Sequence, residues 1–163
     1  MRLEGYILLT HLILATSEIA DSRELSSEAH DAIYRSITGH TEDSIDASDL
    51  RRSILEAMVE NGIDIKKAED IFYRIVKKAK RSLMYIPRKK NAFQVYLKDI
   101  NTRCRESLPE EFSETLFYIY ALVFHELLDL DKNRIEDIIS RTESLIDDIT
   151  IEKISKSREL QII

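Results

Sequence analysis

The sequence predicts an all-α protein, a compact bundle of seven or eight helices forming a single domain over residues 1–163. Three observations point there. Three glycines and two prolines in 163 residues leave little turn-forming material. Apolar residues return every three or four positions through long segments, the period of a helix with one buried face. The run 116–124 is apolar on nearly every side, which marks a helix buried all round and so the central one. A chain of this length buries about two-thirds of its unfolded surface.

The first predicted helix covers 3–19 and carries Ile7, Leu8, Leu12 and Ala15 on a core face. The stretch 1–20 has a basic residue ahead of an apolar run, as a signal peptide does, but Glu4 and His11 sit wrongly for one. An acidic turn leads to a second helix, 24–38, with Leu25, Ala29, Ala32, Ile33 and Ile37 inward and Gly39 as its stop. Residues 40–48 read as a polar loop, with Asp46 or Ser48 capping a third helix, 49–61, on Leu50, Ile54, Ala57 and Met58. After Asn61-Gly62, Asp64 caps a long fourth helix whose Ile65, Ala68, Ile71, Phe72, Ile75, Val76 and Ala79 give the cleanest amphipathic stripe in the chain. Pro87 breaks it. A fifth helix, 89–107, turns Ala92, Phe93, Tyr96, Ile100 and Cys104 inward.

The stretch 107–145 organises the rest. Ser107, Pro109 and Glu110 form a capping-box start for the apolar sixth helix. The path breaks across Asp129 to Asn133, and Ile135, Ile138, Ile139, Thr142 and Leu145 or Ile146 continue as a seventh. Residues 149–163 read as a short last helix or a frayed tail. Shifting the chain by 110 places Leu12 on Leu122, Asp21 on Asp131 and Leu25 on Ile135, so two helix hairpins read as a pseudo-repeat.

Charge is distributed unevenly. Between 71 and 105 stand eleven basic residues and one acid, so this window carries +10 against a net charge of −6 and leaves −16 for the remainder. Lys77, Lys78, Lys80 and Arg81 end the fourth helix, and Tyr85, Arg88, Lys89 and Lys90 follow across the proline break. Clustered cations with a nearby aromatic suit phosphate groups of nucleic acid or of an anionic lipid surface. Two other uses compete: ion pairs with the protein's own acidic helices, and docking onto the acidic body of another protein or a second copy of the chain. So acidic a body is no non-specific DNA coater.

The acidic turns carry a second set of candidates. Asp129, Asp131 and Asn133 have the opening spacing of a calcium loop, but Arg134 and Ser140 stand where its glycine and bidentate glutamate belong. A looser site for a divalent cation, Ca or Mn, would draw on Glu18, Asp21, Glu126, Asp129 and Asp131. The simpler reading makes Asp131 a helix cap. His11 and His125 lie on apolar helices and read as packed, whereas His30 and His40 read as exposed. The single cysteine, Cys104, falls on an inward position and excludes an intrachain disulfide. No glycine-rich phosphate loop and no metalloprotease motif is present, and periodicity turns almost no carboxylates inward, so catalysis and a cofactor are not expected. No apolar stretch reaches the roughly 18–20 residues of a membrane span.

The first turn keeps Ala15, Glu18 and Ile19 of the pattern A-D-G-E-I-D-x-x-E, with Thr16, Ser17 and Ala20 in place of Asp, Gly and Asp. The second, 126–131, keeps its acid–apolar–acid ending, and 108–122 has the helical approach to it. On these residues the chain resembles the TerB-like (tellurite-resistance-associated) family. The resemblance implies a helical, non-enzymatic interaction module of bacterial stress-response or membrane-associated complexes, with a cation in some members. The sequence reading is therefore a cytoplasmic adaptor, peripheral to the membrane, that docks anionic partners through 77–90. The alternative is a nucleic-acid-binding helical regulator.

Overall fold

The computed structural model describes residues 2–19, 25–40 and 45–162, with side chains described as far as Thr150. Seven α-helices follow in order: α1 (Leu3–Ile19), α2 (Ser27–Thr38), α3 (Ala47–Glu60), α4 (Ile65–Leu83), α5 (Lys90–Ser107), α6 (Glu110–Val123) and α7 (Lys132–Ile162). A six-residue 3-10 helix, Phe124–Asp129, joins α6 to α7. No strand occurs among the described residues.

The central helix is α1, not α6. Every residue from Leu3 to Thr16 is buried, and α1 packs against α2, α4, α5, α6 and α7. By contrast α6 buries only Phe112, Leu116, Ile119 and Val123, while Phe117, Tyr118 and Phe124 stand more than half exposed. The sequence reads 3–19 as an apolar helix with a core face and 116–124 as apolar on nearly every side. Hydropathy cannot say which of two such helices the others will wrap, and the aromatics of 117–124 inflate it without being enclosed.

A wholly enclosed helix must satisfy its own polar groups. The hydroxyls of Thr10 and Thr16 donate back to Ile7 O (2.9 Å) and Leu12 O (2.7 Å). Tyr6 OH donates to Asn101 Oδ1 at 2.9 Å, the Cys104 thiol donates to Thr10 O at 3.4 Å, and His11 Nε2 lies 2.5 Å from Tyr96 OH. These contacts form one buried polar seam between α1 and α5. His30, expected at the surface, is buried with Nδ1 3.1 Å from Ser26 O, whereas His125, expected to be packed, is exposed.

Helix starts follow local chemistry. Ser26 Oγ accepts from Ala29 N–H, so α2 begins at Ser27, later than the periodicity suggested; Glu24 lies outside the described residues. Asp46 and Asp64 cap α3 and α4 as their side chains predict. Between those two helices Gly62 takes φ 87°, and Ile63 N–H reaches Met58 O while Gly62 N–H reaches Val59 O. This paired closure needs a left-handed residue, which glycine supplies without strain. Ser107 does not cap α6. Its hydroxyl donates to Arg103 O at 2.9 Å as the last residue of α5, and Pro109 precedes α6 with no side-chain cap.

The inward stripes of α3 and α7 stand as predicted, and that of α4 does except for Ile65, which is 48% exposed. On α5, Ala92 faces solvent and Leu97 takes the buried place. Helix α7 runs unbroken to Ile162, so 149–162 continues it and does not form a separate helix. The two hairpins expected as copies play unlike roles, since α1 is enclosed and α6 is a one-sided outer helix.

Candidate functional site

Three of the predicted acidic candidates, Glu18, Glu126 and Asp131, make structural contacts. Glu126 Oε2 accepts from Leu3 N–H at 2.7 Å, and Glu126 also pairs with Arg134 at 3.6 Å. A carboxylate is thus supplied from the far end of the sequence to the N-terminus of α1, where the helix dipole and unsatisfied N–H groups favour it. The network continues from Arg134 to Asp137 (3.1 Å), Asp137 to Arg141 (3.1 Å), Arg141 to Glu4 (3.7 Å) and Glu4 to Arg2 (3.1 Å). Asp131 caps α7 by accepting from Arg134 N–H at 2.7 Å, and Asp129 is exposed at the end of the 3-10 helix. Glu18 sits at the opposite end of α1, about 22 Å from Leu3 at 1.5 Å of rise per residue, and pairs with Lys78 at 2.8 Å. Glu18 and Glu126 therefore share no ion. Asp21 lies outside the described residues. Among the described residues no three His, Cys, Asp or Glu side chains are grouped to hold a metal.

The basic segment divides in two. Lys78 is held by Glu18, and Lys80 Nζ donates to Asp147 at 2.6 Å. The hydrogen bond and charge of Asp147 hold the Lys80 ammonium above the ordinary lysine value. Lys77, Arg81, Arg88, Lys89 and Lys90 are exposed and make no ion pair with a described residue. The internal ion pairing expected of the whole segment thus accounts for two of its cations.

The unpaired ones converge where α4 turns into α5. Successive turn bonds, Met84 N–H to Arg81 O, Tyr85 N–H to Ser82 O and Ile86 N–H to Leu83 O, tighten the end of α4. Ile86 is buried and fixes the turn, leaving Met84 74% and Tyr85 80% exposed on its outer side. Immediately after it, Arg88, Lys89 and Lys90 line an open cleft of about 550 Å³ together with Lys132 and Glu136 from the first two turns of α7. Four cations thus face one acid. Lys89 occupies the cap position of α5 and supplies no side-chain acceptor to its first-turn N–H groups. Lys132 was missed in the sequence because only the packing of α7 brings it to the α4–α5 corner.

Among the described residues further clefts lie elsewhere. One of about 400 Å³ between α2 and α3 is lined by Arg35, Ser36, His40, Ser53, Glu56 and Glu60, and there Ser36 donates its hydroxyl to Ser53 O at 3.1 Å. Another, about 350 Å³, sets Leu55, Val59 and Ile65 beside Arg51 and Arg52. Arg52 pairs with Asp49, and Arg51 lies over the Phe72 ring.

In the buried seam, chemistry is suppressed. Burial, with the positive charge of Arg103, brings His11 down to about 4. Burial pushes the Cys104 thiol up to about 12 and raises the Tyr6 and Tyr96 hydroxyls well above their ordinary value. A neutral imidazole, a protonated thiol and protonated phenols make a hydrogen-bonding core rather than a nucleophile and base. No helix among the described residues is long and apolar enough to cross a membrane. No protein-family model, no curated protein and no solved structure matches the chain.

Proposed function

We propose that the protein is a non-enzymatic interaction module that docks an anionic partner through its α4–α5 corner. The observation that carries this reading is the meeting of Arg88, Lys89 and Lys90 with Lys132 around one cleft, on a molecule whose net charge is −6. Four cationic side chains beside a single carboxylate, Glu136, give this cleft a local positive charge that favours an anion. The TerB-like assignment belongs to the same proposal. Its only structural support is the all-helical architecture: α6 and α7 do not pack on one another as a second hairpin, and the cation some members bind has no support from the placement of Glu18 and Glu126.

The nucleic-acid reading is supported by Tyr85, which stands exposed between Arg81 and Arg88 and presents a ring on which a base can stack. It is weakened by Lys78 and Lys80, which turn to Glu18 and Asp147 and shorten the basic track that a phosphate backbone would follow.

Binding of a fluorescent heparin fragment, a poly-glutamate peptide and a short DNA duplex, each at rising salt, tests the docking surface. The wild type is expected to bind polyanions with an affinity that falls with salt. The variant Arg88→Gln/Lys89→Gln/Lys90→Gln/Lys132→Gln is expected to lose most of it, roughly fivefold per cation at low salt. Equal affinities for the two proteins overturn the reading.

A further inference from the structure

We infer that the anionic partner is a membrane surface: Met84 and Tyr85 enter the interfacial layer while Arg88, Lys89, Lys90 and Lys132 hold lipid phosphate. This rests on the docking reading above and names its partner.

Three features of the corner favour lipid over other polyanions. The first is its tip. Met84 and Tyr85 are 74% and 80% exposed, held outward by a turn that buries Ile86 beneath them. An unbranched thioether beside a phenol is the pairing of an apolar side chain with an amphipathic ring that sits at headgroup depth. A soluble acidic peptide or a DNA phosphate offers Met84 no apolar surroundings.

The second is the shape of the charge. With Lys78 and Lys80 paired to Glu18 and Asp147, Lys77 and Arg81 are left as a short, interrupted track on α4. The densest group of cations, Arg88, Lys89, Lys90 and Lys132, gathers at one cleft. A plane of headgroups can be met at a point, whereas a phosphodiester chain, with a charge every few ångströms, rewards a track.

The third is orientation. Outside 71–105 the chain carries −16, so an anionic surface repels most of the molecule and favours approach from the α4–α5 side that holds the corner. Apolar tip and cations then act on the same approach, and two weak signals combine into usable membrane affinity.

The test is partition onto vesicles of phosphatidylglycerol mixed with phosphatidylcholine, against phosphatidylcholine alone, by sedimentation at physiological salt. The full chain is expected on the anionic vesicles only. Met84→Ser/Tyr85→Ser is expected to lower partition about tenfold and to leave binding of heparin and poly-glutamate, which offer Tyr85 no base to stack on, unchanged. The four-site Gln variant is expected to lower both. The protein contains no tryptophan, so Tyr85→Trp installs a single reporter whose emission should move to shorter wavelength on anionic vesicles. All these positions are exposed except the Pro87–Ile86 turn itself, which is left intact, and unchanged melting curves verify the fold. Binding to DNA or poly-glutamate without binding to vesicles overturns the lipid inference and leaves the docking surface standing. Vesicle binding indifferent to Met84→Ser/Tyr85→Ser, or an unshifted Tyr85→Trp emission, overturns the insertion. Failure to bind any polyanion or vesicle overturns both readings.

Discussion

His11 shows how far one enclosed residue departs from its sequence-level description. Its position on an apolar helix predicted packing, and it is 5% exposed with its ring 5.9 Å from that of Tyr96. What the sequence could not show is that the residue opposite is a phenol and that the Arg103 charge lies near enough to add to the effect of burial. The consequence is a pH dependence of definite sign. The folded value of about 4 lies below the ordinary 6.5, so the unfolded chain takes up the proton first as pH falls. Above pH 7 both states are neutral and His11 contributes nothing to the slope. Between about 6.5 and 4 stability is progressively lost, by roughly 3 kcal/mol at the acid end. Urea unfolding of wild type and His11→Gln at several pH values should show the steeper acid decline only in the wild type. Parallel declines would remove His11 as its source. The same scale explains the acidic turns: a carboxylate in the sequence advertises a ligand and a cap equally, and only the 2.7 Å bond from Leu3 N–H to Glu126 reveals the second use.

At the scale of elements, what was legible followed periodicity and what was missed followed context. The stripe of α4 and the caps Asp46 and Asp64 were readable because each depends on residues within a turn or two. The boundary between α5 and α6 was not. Ser107, Pro109 and Glu110 satisfy a capping rule, but α5 holds its last turn through Ser107 and its buried neighbour Leu108, so the serine ends one helix instead of starting the next. The contrast can be measured by thermal or urea unfolding. Asp131→Ala should cost about 1 kcal/mol, because it strips the acceptor from Arg134 N–H. Ser107→Ala should stay within about 0.5 kcal/mol of wild type. A Ser107→Ala loss equal to that of Asp131→Ala would restore the capping role. Of the candidate docking site, Arg88, Lys89, Lys90 and Tyr85 were legible as a local charge run with an aromatic. Lys132 was not, since it arrives by tertiary packing alone.

For the whole molecule, one core unites all seven helices, and the outer helices are arranged about a helix that has no outward face of its own. Composition foretold a helical bundle, but hydropathy named 116–124 as its centre where the structure has α1, because sequence hydropathy measures what a segment is made of and not how many neighbours surround it. That arrangement has a kinetic side. Helix α1 precedes the other described helices in the chain, yet its partners include α6 and α7, and its first N–H waits for an acceptor 123 residues further on. Until then α1 is an apolar rod with several uncovered sides, the kind of surface that chaperones hold and that aggregates otherwise. Folding is thus governed by long-range closure and should be slow for a helical protein. A chain halted after residue 131 should bind an apolar dye strongly and fail to melt cooperatively, even though six of its seven helices are present in the sequence.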